Sequence, residues 1–328
     1  MEKLKARIVG TGRSLPEKVL TNFDLEKIVD TSDEWIRTRT GIRERRIASE
    51  NESLSDFASG AAKNALEMAG VKPEEVDLIL LGTVTMDQPI PATSCFVQHR
   101  IGAVNAASFD FQAGCTGFIY GLSIADQYIR SGAAKKVLLI GGEVLSKVLD
   151  WKDRATCVLF GDGCGAVLLS AETGDRGILA SAIHSDGSMA DFITMPGGGS
   201  KIPASHKSVD DNLHVVKMMG NETFKVAVRR IEGACREALE KADIPPEQVK
   251  WFIPHQANTR IISAVAERLG WPSEKYVINI DRIGNTSAGS IPIALDEIVR
   301  EGKVSDNDIL IFSAFGAGVT WGASVIRW

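Results

Sequence analysis

The sequence of 328 residues lacks several features that would assign it to a particular class of protein. It has no uninterrupted apolar stretch long enough to span a bilayer, so we expect no contact with membranes. No apolar core follows the basic residues near its start, so we expect no secretory signal. It also has no excess of positive charge, and the net charge of −5 argues against binding of nucleic acid.

The cysteines form no recognisable pattern. They are odd in number and scattered, with no C-x-x-C pair: Cys95, Cys115, Cys157, Cys164 and Cys235. This spacing argues against a disulfide framework and against a structural zinc site. We therefore predict a cytoplasmic protein with no metal site.

Apolar runs and helical periodicities alternate along the chain, which indicates an α/β architecture. The pattern predicts helices over 22–29, 54–69, 91–101, 118–130 and 292–300, and another that opens at 32–36. Buried strands are predicted over 76–82, 107–111, 136–141, 251–254 and 309–312. Segments 157–160 and 166–170 are predicted to pair as two further strands around a glycine-rich turn.

The chain also repeats itself. Residues 60–76 resemble residues 233–249 without a gap, and a buried strand follows each segment. A weaker echo relates 165–169 to 322–326. We infer a duplication into two halves, 1–175 and 176–328, and because no low-complexity linker separates them we expect one packed body.

A cysteine in a glycine-rich turn lies at the centre of the first half. Cys115 follows the predicted strand 107–111 and precedes the predicted helix 118–130, so its sulfur is expected at a helix N-terminus. Unpaired N–H groups and the helix dipole favour a thiolate there, although an isolated cysteine is more often a buried core residue. By the duplication, Asn285 is the counterpart of Cys115, and a pseudo-twofold axis would bring the two helix starts together.

Two further segments carry polar or small residues after buried strands. His255 follows strand 251–254, at the edge of the sheet where α/β proteins place ligands. The loop 313–318 contains small residues whose N–H groups could hold an oxyanion. Taken singly, His255 would be structural and the loop an ordinary tight turn.

Together these motifs resemble the β-ketoacyl-acyl-carrier-protein synthase III family, which are condensing enzymes of the thiolase superfamily. The shared motifs run in order along nearly the whole chain, at 31–36, 40–42, 113–118, 160–163, 220–225, 254–258, 284–288 and 321–322. The resemblance implies a thiolase-like fold, in which two duplicated α/β halves form a layered α-β-α-β-α sandwich. It also implies a homodimer.

The resemblance assigns an acyl-transfer chemistry to the three central residues. Cys115 would take an acyl group from acyl-CoA, and the acyl group would then condense with malonyl-acyl-carrier protein to start fatty acid synthesis. His255 and Asn285 would donate hydrogen bonds to the malonyl thioester and stabilise the enolate formed as carbon dioxide leaves. The backbone N–H groups of Cys115 and Ala317 would form the acyl oxyanion hole. The CoA thioester is a substrate, and no cofactor is expected.

Binding residues follow from the same resemblance. Those matched to CoA or its channel are Thr31, Trp35, Arg39, Arg154, Asn221, Phe224 and Phe315. Those matched to the docking site of the acidic carrier protein are Lys225, Gln256 and Arg260. Arg229, Arg230 and Arg268 could equally be solvated surface residues, and Glu267 departs from relatives that carry lysine. Ile90, where relatives often have phenylalanine, is predicted to alter primer choice in the partner's acyl pocket.

The same residues bear on alternatives within and outside the superfamily. A synthase or acyltransferase of secondary metabolism would share this architecture. A degradative thiolase would need a second cysteine in the loop 313–318, which has none. A hydroxymethylglutaryl-CoA synthase would want an acidic base that these motifs do not supply. A non-catalytic scaffold would have no reason to keep Cys115, His255 and Asn285 together.

Overall fold

A computed structural model describes residues 4–328, apart from the side chain of Asn221. Its strands are β1 (Lys5–Ser14), β2 (Val19–Thr21), β3 (Glu44–Arg46), β4 (Leu78–Gly82), β5 (Ala107–Phe111), β6 (Lys136–Glu143), β7 (Gly163–Glu172), β8 (Gly177–Ser185), β9 (Ile193–Thr194), β10 (Lys217–Met218), β11 (Val249–Pro254), β12 (Ile309–Gly316) and β13 (Thr320–Arg327). Its α-helices are α1 (Asn22–Leu25), α2 (Asp33–Thr40), α3 (Leu54–Ala69), α4 (Thr93–Ile101), α5 (Gly117–Arg130), α6 (His206–Asp210), α7 (Gly220–Ala242), α8 (Thr259–Leu269), α9 (Ile280–Ile283) and α10 (Ser290–Arg300). None of the described helices is long and apolar enough to cross a membrane.

Two sheets contain most of the strands. The first has the order β1-β7-β6-β4-β5, in which β4 is parallel to β5 and β6 while β7 is antiparallel to its neighbours. The second has the order β11-β12-β13-β8. The inner strands β4 and β12 are buried along their whole length because helices cover both faces of each sheet.

The second sheet repeats the topology of the first. Read as β8-β13-β12-β11, its order and its parallel and antiparallel pairings match those of β1-β7-β6-β4. Tyr276 even forms a parallel bridge with Phe252 on the outer side of β11, where the first sheet has β5. The first sheet ends at Glu172 and the second begins at Gly177, and the half boundary that we propose lies between them.

The helices complete five layers, α-β-α-β-α. Helix α3 packs on β1 and β7 from outside, and α7 covers β13 and β8 on the opposite side. Helices α5 and α10 lie between the sheets, where Phe118 and Leu295 belong to one fully buried central core. Because side chains from both halves fill that core, the two halves are packed as one body, as predicted.

Most predicted elements are present, and two differ. Helix 54–69 is confirmed residue for residue: Ser53 and Asp56 form a capping box at its start, and Gly70 ends it in the left-handed conformation. Helix α1 stops at Leu25, short of the predicted end at 29. The predicted strand 157–160 is wrong, because this segment is a turn that joins a partner only through a bridge from Phe160 to Asn285.

Candidate active site

The two central helices begin side by side. Cys115 lies in a short 3₁₀ turn, Gly114–Thr116, directly before α5, and Ser287–Gly289 forms the equivalent turn before α10. The Cβ of Ala288 packs against Gly117, so the two helix starts are in contact. The duplication therefore places Cys115 and Asn285 on one cavity wall, as the sequence predicted.

Burial dominates the chemistry of the Cys115 thiol. Burial raises the pKa of Cys115 to about 11. The nearby Glu143 carboxylate also raises this pKa, while the Ser287 hydroxyl lowers it. Burial at this position therefore opposes the thiolate that we expect a helix start to favour. The thiol must lose its proton as it reacts.

Two backbone N–H groups meet beside Cys115. A Cβ on Gly316 would lie 2.5 Å from the Cys115 nitrogen, and one on Gly114 would lie 2.7 Å from the Ala317 nitrogen, so only glycine allows these loops to touch. In the described part of the chain, neither the Cys115 nor the Ala317 N–H donates to another backbone group. Both N–H groups are thus free to bind an oxygen of a ligand.

The amide of Asn285 has a fixed orientation. Its Oδ1 accepts a hydrogen bond from the Ser287 N–H at 2.9 Å, which leaves the Nδ2 hydrogens for the cavity. Its backbone is held by two hydrogen bonds to the turn that replaces the predicted strand, from the Asn285 N–H to the Leu159 carbonyl and from the Gly161 N–H to the Asn285 carbonyl. This side chain is therefore a rigid hydrogen-bond donor.

His255 lies at the carboxyl end of β11, and its backbone N–H donates to the Ser313 carbonyl of β12 at 2.7 Å. Its Nδ1 is 2.7 Å from the Ser290 hydroxyl oxygen, which leaves Nε2 toward the cavity that His255 lines. Burial lowers the pKa of His255 to about 4, so the ring is neutral at pH 7.

The lowered pKa of His255 predicts a pH-dependent stability. Between about pH 6.5 and about pH 4 the unfolded chain binds a proton at this histidine that the folded chain excludes, so acidification destabilises the fold. For this residue we expect a loss of about 2 kcal/mol between pH 7 and pH 5. Burial raises the pKa of Glu143 to about 7, so acidification stabilises the fold through this group and partly masks the contribution of His255. The contribution of His255 is therefore measured as the difference between wild type and a variant that lacks this histidine.

Urea unfolding of wild type and of His255→Asn at both pH values measures that difference. The variant should lose less stability on acidification than wild type. Parallel pH dependences of the two proteins would contradict the buried neutral histidine.

The catalytic candidates open into one cavity of about 160 Å³. Cys115, His255, Asn285 and Ser287 all line it. Phe224 and Phe315, which the family resemblance matched to the substrate channel, also line it. The prediction for Asn221 concerns a side chain outside the described part of the chain.

The residues matched to CoA cluster near the cavity mouth. The guanidinium groups of Arg39 and Arg154 lie 5.2 and 5.5 Å from the centre of the Trp35 ring. Asn258, which lines the cavity, donates from Nδ2 to the Arg39 carbonyl at 2.9 Å and ties this cluster to the mouth. The Thr31 hydroxyl is buried and has no hydrogen-bond partner among the described residues.

The basic residues predicted for docking differ in their surroundings. Lys225 and Arg260 are exposed and make no ion pair in the described part of the chain. The Arg260 guanidinium also lies over the Phe224 ring at the cavity mouth. Arg268 instead pairs with Glu232 at 3.0 Å, and Arg230 stacks on Trp321. Arg229 is exposed and likewise has no ion pair among the residues described.

Gln256 corrects one prediction. It is fully buried, donating from Nε2 to the Pro254 and Val277 carbonyls and accepting the Asn279 N–H at Oε1. All of its polar atoms are used inside the protein, so it cannot contact a docked partner. It instead orders the backbone beside His255.

Ile90 lies outside the cavity of its own chain. It is 84% exposed, in the loop between β4 and α4. The prediction that it enters a partner's acyl pocket needs a second copy of the chain and stays a prediction.

Sequence reasoning missed two residues near Cys115, Glu143 and Ser287. Glu143, at the end of β6, is fully buried and accepts hydrogen bonds from Thr83, Val84 and Thr85. Ser287 lines the cavity with Cys115, and the Ser287 hydroxyl lowers the pKa of both the Cys115 thiol and the Glu143 carboxyl, against the larger effect of burial. The available signal was a carboxylate at the carboxyl end of a buried strand, the same position that drew attention to His255.

Comparison with known proteins agrees with this geometry. Residues 109–187 match the family model described as 3-oxoacyl-[acyl-carrier-protein (ACP)] synthase III, and residues 239–328 match its C-terminal counterpart. A β-ketoacyl-[acyl-carrier-protein] synthase III of Caldanaerobacter subterraneus subsp. tengcongensis is 54% identical over 100% of this chain and 99% of its own length.

Solved structures give the same result. The 3-oxoacyl-[acyl-carrier-protein] synthase III of Aquifex aeolicus superposes with a TM-score of 0.92 at 52% identity, over 98% of this chain and 100% of that one. The priming β-ketosynthase of the R1128 polyketide biosynthetic pathway superposes with a TM-score of 0.92 at 35% identity, over 99% of this chain and 97% of that one.

The five-layered duplicated fold, with a cysteine, a histidine and an asparagine around one cavity, is that of a thiolase-like condensing enzyme, an acyltransferase. Within that class, the chain belongs to the 3-oxoacyl-[acyl-carrier-protein] synthase III family. The predicted fold class, family resemblance and enzyme class are thereby confirmed.

Proposed function

We propose that this protein joins an acyl-CoA primer to malonyl-acyl-carrier protein by a decarboxylating Claisen condensation, through an acyl group on Cys115. The observation that carries the proposal is the convergence of Cys115, His255 and Asn285 on one cavity at the starts of α5 and α10. The product is a β-ketoacyl-carrier protein, the first chain-extended intermediate of fatty acid synthesis. No resident cofactor or metal enters this scheme.

Acylation uses the nucleophile and the two N–H groups. The Cys115 sulfur attacks the thioester carbonyl, and the N–H groups of Cys115 and Ala317 stabilise the developing oxyanion. The acyl-enzyme divides one difficult step into two. The apolar walls from Phe224 and Phe315 exclude water and so limit hydrolysis of the acyl-enzyme.

Decarboxylation uses the two side-chain donors. The Asn285 Nδ2 hydrogens and an Nε2–H of His255 bind the thioester carbonyl of the malonyl group and stabilise the enolate. The His255 donor requires an unprotonated Nδ1 that accepts from the Ser290 hydroxyl 2.7 Å away, so the hydroxyl proton must turn from the Ser287 carbonyl, to which it donates at 2.9 Å, toward the ring. Because loss of carbon dioxide creates the carbanion, no charged base is needed at His255.

Substrate entry is proposed along the cavity mouth. The Trp35 ring and the Arg154 guanidinium offer two flat faces for the CoA adenine, with Arg39 placed for its phosphates and Thr31 nearby. Arg154 already contacts the ring and also donates to the Asp30 carbonyl, so we infer that its exposed side chain swings aside to admit the base.

The carrier protein is proposed to dock on Lys225 and Arg260, with Arg229 at the rim. Their positive charges have no ion-pair partners among the described residues and lie beside the cavity, where an acidic partner would bring its pantetheine arm to Cys115. We expect Lys225→Glu and Arg260→Glu each to raise the KM for malonyl-carrier protein about tenfold at low salt.

Steady-state kinetics against malonyl-carrier protein and malonyl-CoA test the docking. The KM for malonyl-CoA should change little in Lys225→Glu. Arg268→Glu is the matched control, because Arg268 is already paired with Glu232. An equal effect of all three reversals on the KM for the carrier protein would refute a localised docking site.

A homodimer and a cytoplasmic location complete the proposal. Strand β5 is an outer edge of the first sheet, and exposed apolar side chains of Met86, Ile90 and Val104 lie on segments next to it. A second copy pairing there would extend the sheet and cover them. A monomeric mass by light scattering would contradict this arrangement. All five cysteines are free thiols, which suits a reducing compartment.

The condensation itself is tested with malonyl-carrier protein and a panel of acyl-CoA primers. We expect carbon dioxide release and a β-ketoacyl product that depend on both substrates. Ile90→Phe should change the ranking of acetyl-, isobutyryl- and octanoyl-CoA. Identical rankings in wild type and variant would remove Ile90 from primer selection.

A role in secondary metabolism is the second candidate, favoured by the similarity to the R1128 priming β-ketosynthase. The chemistry on Cys115 would be the same, and only the carrier protein and primer would differ. Assay against carrier proteins of both kinds from the source organism separates the two roles.

A further inference from the structure

Glu143 is a buried carboxylate that the proposed reaction does not use. It is fully buried at the carboxyl end of β6, and the described part of the chain gives it no ion pair. Burying a carboxylate is costly unless hydrogen bonds replace the water that it loses. The groups that donate to Glu143 therefore indicate which part of the protein it serves.

The donors come from one tripeptide, residues 83–85, at the start of the loop between β4 and α4. The Oε2 atom of Glu143 accepts from the N–H groups of Val84 and Thr85, at 3.0 Å each. It also accepts from the hydroxyls of Thr83 and Thr85, at 2.9 and 2.6 Å. The Thr85 hydroxyl accepts the Val144 N–H at 2.9 Å, a second link between this loop and the end of β6. Three consecutive residues thus surround one carboxylate oxygen, as successive N–H groups surround bound anions. We call this arrangement the Glu143 anchor.

Val84 is the residue that the anchor holds in place. Its own N–H and the N–H of the next residue both donate to Glu143, which fixes the backbone on either side of the Val84 Cα. The Val84 side chain lines the catalytic cavity and also a second cavity of about 390 Å³. Among the described residues, only Val84, Ile193 and Val216 line both cavities with a side chain larger than a methyl group. Val84 is therefore part of the wall that the two cavities share.

The second cavity lies within reach of an acyl group on Cys115. Gly114, the residue before the nucleophile, lines both cavities, and so does Ala317 of the proposed oxyanion hole. Val148 and Met195 add apolar side chains on the far side of the shared wall, which suits an alkyl chain. The position of the wall thus sets how much space an acyl chain finds.

We propose that Glu143 determines which acyl primers the protein accepts, because it holds Val84 as a wall that closes the second cavity to the acyl chain on Cys115. This inference rests on the proposed acyl transfer through Cys115. Glu143 is a positioning residue, since it lines neither cavity and acts through Val84.

An effect of the Glu143 charge on the nucleophile predicts a different result. The carboxylate raises the pKa of the Cys115 thiol, so its removal changes the reactivity of that thiol toward every acyl-CoA alike. The ratio of the acylation rates of two primers on one protein cancels such a change. A shift in this ratio therefore reports the cavity wall.

The test is single-turnover acylation by octanoyl-CoA and by acetyl-CoA, followed by the mass of the acyl-enzyme. In Glu143→Ala we expect the octanoyl-to-acetyl ratio of second-order rate constants to rise at least about tenfold, because the wall is no longer held. Glu143→Gln keeps an oxygen that accepts from the same donors, and should return the ratio to within about threefold of wild type.

Val84→Ala separates the wall from the rest of the loop. The anchor also holds the start of the loop that carries Ile90, so a change of Glu143 frees that residue as well. Val84→Ala shortens the wall but leaves the hydrogen bonds of the anchor, which backbone and threonine groups make, in place. The octanoyl-to-acetyl ratio should rise in this variant too.

Thr85→Val provides a second arm and decides alone if Glu143→Ala does not fold. It keeps the shape of the side chain but removes the hydroxyl that donates to Glu143 and accepts from Val144, so the ratio should rise by a smaller factor. The matched control is Asp126→Ala, which removes another buried carboxylate, on α5, that lines neither cavity. Its ratio should equal that of wild type.

An unchanged ratio in Glu143→Ala, or in Thr85→Val if only that variant folds, would overturn the inference. A rise in Glu143→Ala that Val84→Ala does not reproduce, that Glu143→Gln shares in full, or that Asp126→Ala equals would overturn it as well. Failure of both CoA esters to acylate wild type would overturn the proposed function instead.

Discussion

Replacing Cys115 by serine should abolish condensation, with a loss of at least about 10⁴-fold in kcat/KM. The serine hydroxyl is a far weaker acid than the thiol, and its attack would convert a thioester into an ester that the enolate displaces poorly. Turnover with acyl-CoA and malonyl-carrier protein, and exchange of label between CoA and acyl-CoA, measure both half-reactions.

Cys95→Ser serves as the control for this substitution, because it removes an exposed thiol on α4 away from the cavity. It should keep wild-type rates in both assays. Full activity of Cys115→Ser would refute the assignment of the nucleophile, and equal losses in both variants would indicate a general effect of thiol removal.

Replacing His255 by alanine should separate the two half-reactions. We expect decarboxylation of malonyl-carrier protein to fall by about 10²–10³-fold, because one of two donors to the enolate is lost. Acylation of Cys115 should fall by less than about tenfold, since its oxyanion is held by the N–H groups of Cys115 and Ala317. Release of carbon dioxide and growth of the acyl-enzyme mass report the two steps independently.

Asn285→Asp is the companion variant. It keeps an acceptor for the Ser287 N–H but replaces the donor amide, so the turn should persist while decarboxylation is lost. Equal losses of acylation and decarboxylation in His255→Ala would contradict the division of labour between the two pairs of donors.

The fold was predictable where one periodicity ran uninterrupted. Helix 54–69 carries its own start and stop signals, and the gapless match between 60–76 and 233–249 revealed the duplication. Segment 157–160 misled because an apolar run of four residues has no periodicity of its own. It is buried as a turn whose last residue meets Asn285, a partner that lies far along the chain.

The sequence predicted which residues form the site, but it did not predict how deeply they are buried or how burial shifts their pKa values. The duplication and the family motifs brought Cys115, Asn285 and His255 together. Burial was not visible in the sequence, and burial is what raises the pKa of the Cys115 thiol and lowers that of His255. The same reason explains Gln256, whose polar side chain suggested a surface but which satisfies every polar atom inside the fold.

The most direct test of the account is the intact mass of the protein after mixing with acyl-CoA, followed by addition of malonyl-carrier protein. The account predicts a gain of one acyl group, located on Cys115 by peptide mapping. It also predicts that this group disappears, as β-ketoacyl-carrier protein forms, once malonyl-carrier protein is added. Absence of the adduct, or an adduct on Cys115 that malonyl-carrier protein does not discharge, would contradict it.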